Sequence, residues 1–130
     1  MTLASWGEER AKWFLKVKKH WKIKTPTGNG YDILAVKPGH RMTVEVKTSA
    51  DDSDIPDCFS TELIRGKLVA DYLYVVRARV RGKNSFSFRR IDILSKSEVD
   101  RYDHRPKGGW KLSSTLKTDL RNGKIGRSVR

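Results

Sequence analysis

Trp6, Trp13, Val17 and Trp21 recur at helical spacing, with Phe14 beside them, and predict a helix from Trp6 to about Lys19. Ser5 and Glu8 form a Ser-x-x-Glu capping box at its start. Pro26 and Gly28-Asn29-Gly30 mark a turn. Tyr31 to Val36 then reads as a strand, and Lys37-Pro38-Gly39-His40 as a hairpin turn. From Arg41 to Thr48 the pattern alternates, with Met42, Val44 and Val46 on one face and Thr43, Glu45 and Lys47 on the other. Ser49 to Cys58 is acidic and turn-rich and predicts a mobile loop; Phe59 to Val69 predicts a helix on Leu63, Ile64 and Leu68. Tyr72 to Val80 and Phe86 to Ile93 predict two more strands around a turn, with Phe86, Phe88 and Arg90 sharing a face. Ser95 and Glu98 cap a short helix to about Tyr102. Trp110 to Leu112 reads as a short edge strand, and the chain is expected to fray from about Leu120. The order predicts an α/β domain with a mixed central sheet flanked by helices.

The length, 130 residues, suits one domain, 1–130. Apolar runs are far shorter than the roughly 20 residues a spanning helix needs, and charge appears within the first ten residues, unlike a signal peptide. The expectation is a cytoplasmic protein with no membrane partner. The single Cys58 excludes an internal disulfide framework. A formal net charge of +13 points to a polyanionic partner, most simply nucleic acid; the plainer alternative is a solvated basic surface. The charge is segregated. Residues 10–24 carry only bases among their charged positions, as do 104–130 apart from Asp119, while Asp51, Asp52, Asp54 and Asp57 cluster between them.

If Pro38-Gly39 is the hairpin centre, the ladder puts Asp32 directly opposite Glu45, and Lys47 lies two residues on along the same face. Facing carboxylates repel, and a divalent cation relieves that repulsion. Asp32, Glu45 and the Val46 carbonyl can supply oxygen ligands to Mg²⁺, and Lys47 can hold a water or phosphate. The alternative is a surface ladder of ion pairs. Glu9 borders the apolar stripe of the first helix, where it either reaches inward to this site or stays in solvent. His20, His40 and His104 have no paired spacing for zinc, and Gly28-Asn29-Gly30 lacks the ending of a phosphate loop. Trp110 reads as a core anchor rather than a base-stacking residue.

The stretches Gly7-Glu8-Glu9-Arg10, Gly30-Tyr31-Asp32-Ile33-Leu34-Ala35 and Val44-Glu45-Val46-Lys47-Thr48-Ser49 together resemble the restriction-endonuclease-like superfamily, the PD-(D/E)xK nucleases. Within it they look most like archaeal Holliday-junction resolvases and Mrr-type nucleases. The likeness covers residues 5–80, and departs from the pattern in having Tyr31, not Pro, before the first acid. It implies Glu9 as the helix-one acid, Asp32 as the first metal acid, and Glu45 with Lys47 as the acid–lysine pair. It implies a restriction-endonuclease-like fold, Mg²⁺ or in its place Mn²⁺, and hydrolysis of DNA that leaves a 5′-phosphate. Branched DNA is the expected substrate and a homodimer the expected assembly. Lys16, Lys19, Arg77, Arg79, Arg89 and Arg90 are the candidate phosphate contacts. Two other readings are a basic DNA-binding module that does not cut, and a defence-type nuclease acting on linear duplex.

Overall fold

In the computed structural model, which describes residues 1–50, 55–56, 62–106 and 110–130, the first helix starts ahead of the expected capping box. Helix α1 is Leu3–Trp13, and Thr2, not Ser5, is its N-cap: the Thr2 hydroxyl accepts from the Ser5 N–H at 3.1 Å. A π-helical turn, Phe14–Lys18, continues it. The buried side of this helical segment is Gly7, Ala11, Phe14 and Leu15, whereas Trp13 and Val17 are 42% and 47% exposed. The aromatic periodicity therefore gave part of the stripe: Phe14 is buried and Trp6 and Trp21 pack against the same cluster, whereas Trp13 and Val17 do not. Small residues mark the rest of the inner face, because α1 lies almost in van der Waals contact with the sheet. A Cβ on Gly7 would stand 1.8 Å from the Thr48 Oγ1.

Among the described residues, ten strands follow the first helix. β1 is Lys22–Lys24, β2 Ile33–Lys37, β3 His40–Ala50, β4 Leu63–Ile64 and β5 Lys67–Leu68; β6 is Tyr72–Gly82, β7 Ser85–Ser95, β8 Arg105–Pro106, β9 Trp110–Lys111 and β10 Arg127–Val129. Two short helices, α2 (Lys96–Asp100) and α3 (Ser114–Arg121), lie between the later strands. The main sheet has six strands in the order β1-β2-β3-β6-β7-β10, with β3 and β6 parallel and the other neighbours antiparallel. The protein is thus mixed α/β around a mixed sheet. The Pro38-Gly39 turn is where the sequence puts it, with Lys37 paired to His40 and Gly39 at φ +75°.

The helix expected over Phe59–Val69 is not formed in its described part. Residues 62–69 are a turn and the β4–β5 hairpin, with Leu63 paired to Leu68 and Ile64 to Lys67. Arg65 and Gly66 both have positive φ, 53° and 77°, as a two-residue hairpin turn of the type I′ class requires. The expected loop at Ser49–Cys58 is partly strand, since Ser49 and Ala50 end β3 and Ile55 is buried; 51–54 and 57–58 lie outside the described residues, as does Cys58 itself.

The sheet separates two apolar clusters. Ala11, Phe14 and Leu15 pack with Ile33, Ala35, Val44, Tyr74, Val76 and Ile91 on one face. The other face carries Leu73, Val75 and Leu94 beneath Leu63, Leu68, Val99, Leu112, Leu116 and Leu120. Trp110 is half-buried against this second cluster and over Gly66, the core role expected of it. The Ser95–Glu98 capping box is present. A helix capped by Ser113, α3, runs to Arg121, and the stretch expected to fray from about Leu120 instead ends that helix and then forms β10, paired to β7. Among the described residues no helix is long and apolar enough to cross a membrane.

Candidate active site

Alternation along β3 turns Val44 and Thr48 toward α1 and Glu45, Lys47 and Ser49 toward the opposite face. The β2–β3 register pairs Ile33 with Val44, so Asp32 stands opposite Glu45, as the turn position requires. The backbone fixes it there: the Asp32 N–H donates to the Val44 carbonyl at 2.9 Å, and the Val46 N–H donates to Asp32 Oδ2 at 2.8 Å. One carboxylate oxygen of Asp32 is therefore held by the strand that carries Glu45 and Lys47.

Glu45 is 1% exposed, and its Oε2 has no hydrogen-bond partner among the described residues. Burial is the main reason its carboxyl is held well above the usual range; the facing Asp32 carboxylate, and then Glu62, push it further the same way. Glu45 is consequently protonated near neutral pH. Lys47, 8% exposed, donates to Glu62 Oε1 at 2.7 Å.

Glu62 is the member of this cluster that sequence reasoning missed, because it sits where a helix was expected. The Val69 N–H donates to the Glu62 carbonyl at 3.0 Å across the mouth of the β4–β5 hairpin. The hairpin is tied to α2: the Leu68 N–H donates to Asp100 Oδ1 at 2.7 Å, the Lys67 ammonium donates to the Asp100 carbonyl at 2.8 Å, and the Lys96 ammonium donates to the Leu68 carbonyl. Gly66 was the available signal, a turn residue between Leu63-Ile64 and Lys67-Leu68.

Glu9 is not brought to this cluster. It lies on the helix that packs against the other face of the sheet, its side chain is 62% exposed, and it pairs with Lys12 at 3.6 Å. Of the candidate phosphate contacts, Lys16, Lys19 and Arg79 are exposed. Arg77 is turned inward. Its side chain is 12% exposed, donates through Nε to Asp92 Oδ2 at 3.0 Å and through Nη1 to Ser49 at 3.0 Å, and serves the core rather than a phosphate. Arg90 Nε also donates to Asp92, at 3.0 Å, as does the Ser128 hydroxyl, at 2.6 Å. Burial alone would raise the Asp92 carboxyl, but these donors, Ser128 first, hold it below its usual range. Arg90 does not share a face with Phe88 as strict alternation predicts. Arg77 pairs with Arg90 but Ala78 with Phe88, so Arg89 is an extra, bulged residue that re-aims its neighbours. Arg89 and Arg90 still line, with Arg79, Arg81 and Arg130, a shallow basic hollow at this end of the sheet.

As the side chains stand, no group of three or more His, Cys, Asp or Glu among the described residues is arranged to hold a metal ion. The chemistry of the donors nonetheless fits a hard divalent cation. Asp32 and Glu45 are facing oxygen donors, and Glu45 Oε2 is buried without a hydrogen-bond partner among the described residues. Fold and site define a mixed α/β domain with an acid pair and a lysine gathered at one antiparallel hairpin. No family model, curated protein or solved structure matches this chain.

Proposed function

We propose that the protein is a divalent-metal-dependent endodeoxyribonuclease of the restriction-endonuclease-like kind, acting on branched DNA as a homodimer in the cytoplasm. The observation that carries this reading is the pairing of Asp32 with a buried Glu45 across the β2–β3 hairpin, with Lys47 two residues along the same face. A structural ion-pair ladder has no use for a buried carboxyl with an unsatisfied oxygen, whereas a cation site does.

Asp32, Glu45 and the Val46 carbonyl would hold Mg²⁺, or Mn²⁺ in its place. When bound, such an ion polarises a phosphoryl oxygen and acidifies a water. The chain's own groups do the rest. Glu45 would release its proton to solvent and become a second acceptor beside Asp32. Lys47 has three N–H donors; the Glu62 carboxylate fixes the ammonium in place, where it orients the attacking water and stabilises charge developing on the phosphate. In-line attack by that water would form the new P–O bond and break the bond to the 3′ oxygen, the water's proton passing to solvent and the 3′ oxygen taking one from it, which leaves a 3′-hydroxyl and a 5′-phosphate.

The test is cleavage of end-labelled four-way junction, flap, linear duplex, single strand and RNA, with Mg²⁺ and with EDTA. The junction should be cut fastest, by paired nicks near the branch, because a two-fold dimer presents two sites to two equivalent strands. Glu45→Ala should abolish cutting and leave DNA binding intact. Equal cutting of junction and linear duplex would refute the branched substrate. Binding without cleavage in either Mg²⁺ or Mn²⁺ would refute the nuclease in favour of a non-catalytic DNA-binding module.

A further inference from the structure

The face of the sheet that turns away from Glu45 and Lys47 carries a second concentration of chemistry. A cavity of about 330 Å³ opens between the end of α1, the π-helical turn, β7 and β10. Arg10 lies inside it with its guanidinium between two rings, 4.8 Å from the centre of Trp13 and 4.7 Å from that of Phe88. The Arg10 Nε is buried and has no hydrogen-bond partner among the described residues. Lys18, Lys19 and Arg130 also line the cavity, and Lys18 Nζ stands 5.5 Å from the Trp13 ring. Trp13 itself is 42% exposed, unusual for the largest apolar side chain in a chain of this size. Phe88 and Arg130 continue into the arginine-rich hollow at the β6–β7 end, so the two depressions form one basic groove.

We infer that this groove binds an unpaired nucleic-acid strand, with a base against Trp13 and phosphates on Arg10, Lys18, Lys19 and Arg130. Charge decides the partner class: the lining cations suit a polyanion, and an acidic environment is what the orphaned Arg10 donor lacks. The aromatic rings decide between duplex and single strand. Phosphate contact alone needs no exposed tryptophan, and a duplex keeps its base faces stacked inside. A single strand offers those faces, and aromatic residues interleaved with cations are the way proteins take them without reading sequence. Arg10 stands over both the Trp13 and the Phe88 ring, so part of this surface is ordered before binding. Lys18 is flexible and exposed; a base that displaces it from the ring leaves its ammonium free to meet the adjoining phosphate. The inference does not depend on the catalytic reading, since none of these residues belongs to the Asp32–Glu45 cluster and no metal is involved.

The test is binding in EDTA, where no metal-dependent cleavage occurs, measured by anisotropy on labelled short oligothymidylate, oligouridylate and a duplex of equal length. The two single-stranded arms identify whether DNA or RNA is the better source. On the tighter of them, Trp13→Ala should weaken binding roughly 10-fold, the loss of one stacked base, while duplex binding changes less than about twofold. Trp13→Phe should restore most of the affinity, which separates stacking from misfolding. The wild-type tryptophan fluorescence should be quenched by the oligonucleotide, and that quench should largely disappear in Trp13→Ala although Trp6, Trp21 and Trp110 remain. Unchanged affinity and quench in Trp13→Ala would overturn the inference. So would equal weakening toward single strand and duplex, or conversion of a dimer to a monomer by Trp13→Ala, which would make the groove a contact between two copies of the chain.

Discussion

Replacing Glu45 by Gln in the metal-free protein should stabilise it, and by an amount that grows with pH. Glu45 is 1% exposed and its carboxyl is held well above the ordinary range, first by burial and then by Asp32 and Glu62. In the unfolded chain the same group ionises near pH 4.3, the usual value for a glutamate of about that environment. Between those limits the native state holds one more proton than the unfolded state, so stability is fullest at acid pH and declines as pH rises. The slope for one retained proton is about 1.4 kcal/mol per pH unit. From about pH 6 to about pH 8 the wild type should therefore lose up to about 3 kcal/mol that the Gln variant keeps. Sharing of the proton with Asp32 and Glu62 makes this an upper value. For a domain of this size the gap corresponds to roughly 10 °C in Tm. Titrating groups other than Asp32 and Glu62 are common to both proteins and cancel in the difference. The assay is thermal or urea unfolding of both proteins across that range in EDTA. Mg²⁺ should then recover wild-type stability at the alkaline end and leave Glu45→Gln nearly unmoved. Parallel pH profiles in EDTA would refute the claim that Glu45 carries a proton in the folded site.

Gly7→Ala should cost about 2–3 kcal/mol in urea unfolding, as overpacking does, because the new Cβ would sit 1.8 Å from Thr48 Oγ1 and 2.8 Å from Thr48 Cβ. Thr48→Ala should recover part of that loss in the double variant. Asp92→Ala should destabilise by about 3–5 kcal/mol, since it strands Arg77 inside the protein without its carboxylate partner; a change under about 1 kcal/mol in unfolding would show that solvent replaces the contact. Duplex affinity should fall steeply with salt, with a log–log slope of about −4 to −7 if five to eight phosphates are neutralised, and a flat response in a titration would disconnect the positive charge from DNA.

The central hairpin was legible because two strong local rules agree there. Pro38-Gly39 admits one tight turn, and strict alternation on either side fixes the register that sets Asp32 against Glu45. Lys47 followed from the same alternation. What the pattern hid depended on long-range packing. Gly7 and Ala11 look neutral in sequence, yet they face the sheet, and the more hydrophobic Trp13 does not. Glu9 lies on the exposed side for the same reason, because Gly7, Ala11, Phe14 and Leu15 turn to the sheet and Trp13 and Val17 do not. Glu62 was lost when Leu63, Ile64 and Leu68 were read with a helical period, although Arg65-Gly66 folds them back as a hairpin. The bulge at Arg89 left no mark in the alternation, and it decides which arginines point into the Asp92 network. β10 has three residues and one apolar side chain, too short a signal for any period.

That small strand has a consequence for synthesis. On the ribosome β7 emerges well before residues 127–129, which pair with it through Arg127–Ile93, Ser128–Asp92 and Val129–Ile91. Until they arrive, the nascent chain shows an open edge at β7, Asp92 lacks its Ser128 donor, and Glu98 lacks the Gly126 N–H that reaches it at 2.7 Å. An unpaired edge of this kind is a template for another chain. A protein stalled or clipped ahead of residue 126 would therefore keep its acid pair and its lysine and still be prone to strand exchange with its neighbours. Quality control would meet this protein at β10 rather than at its chemical centre.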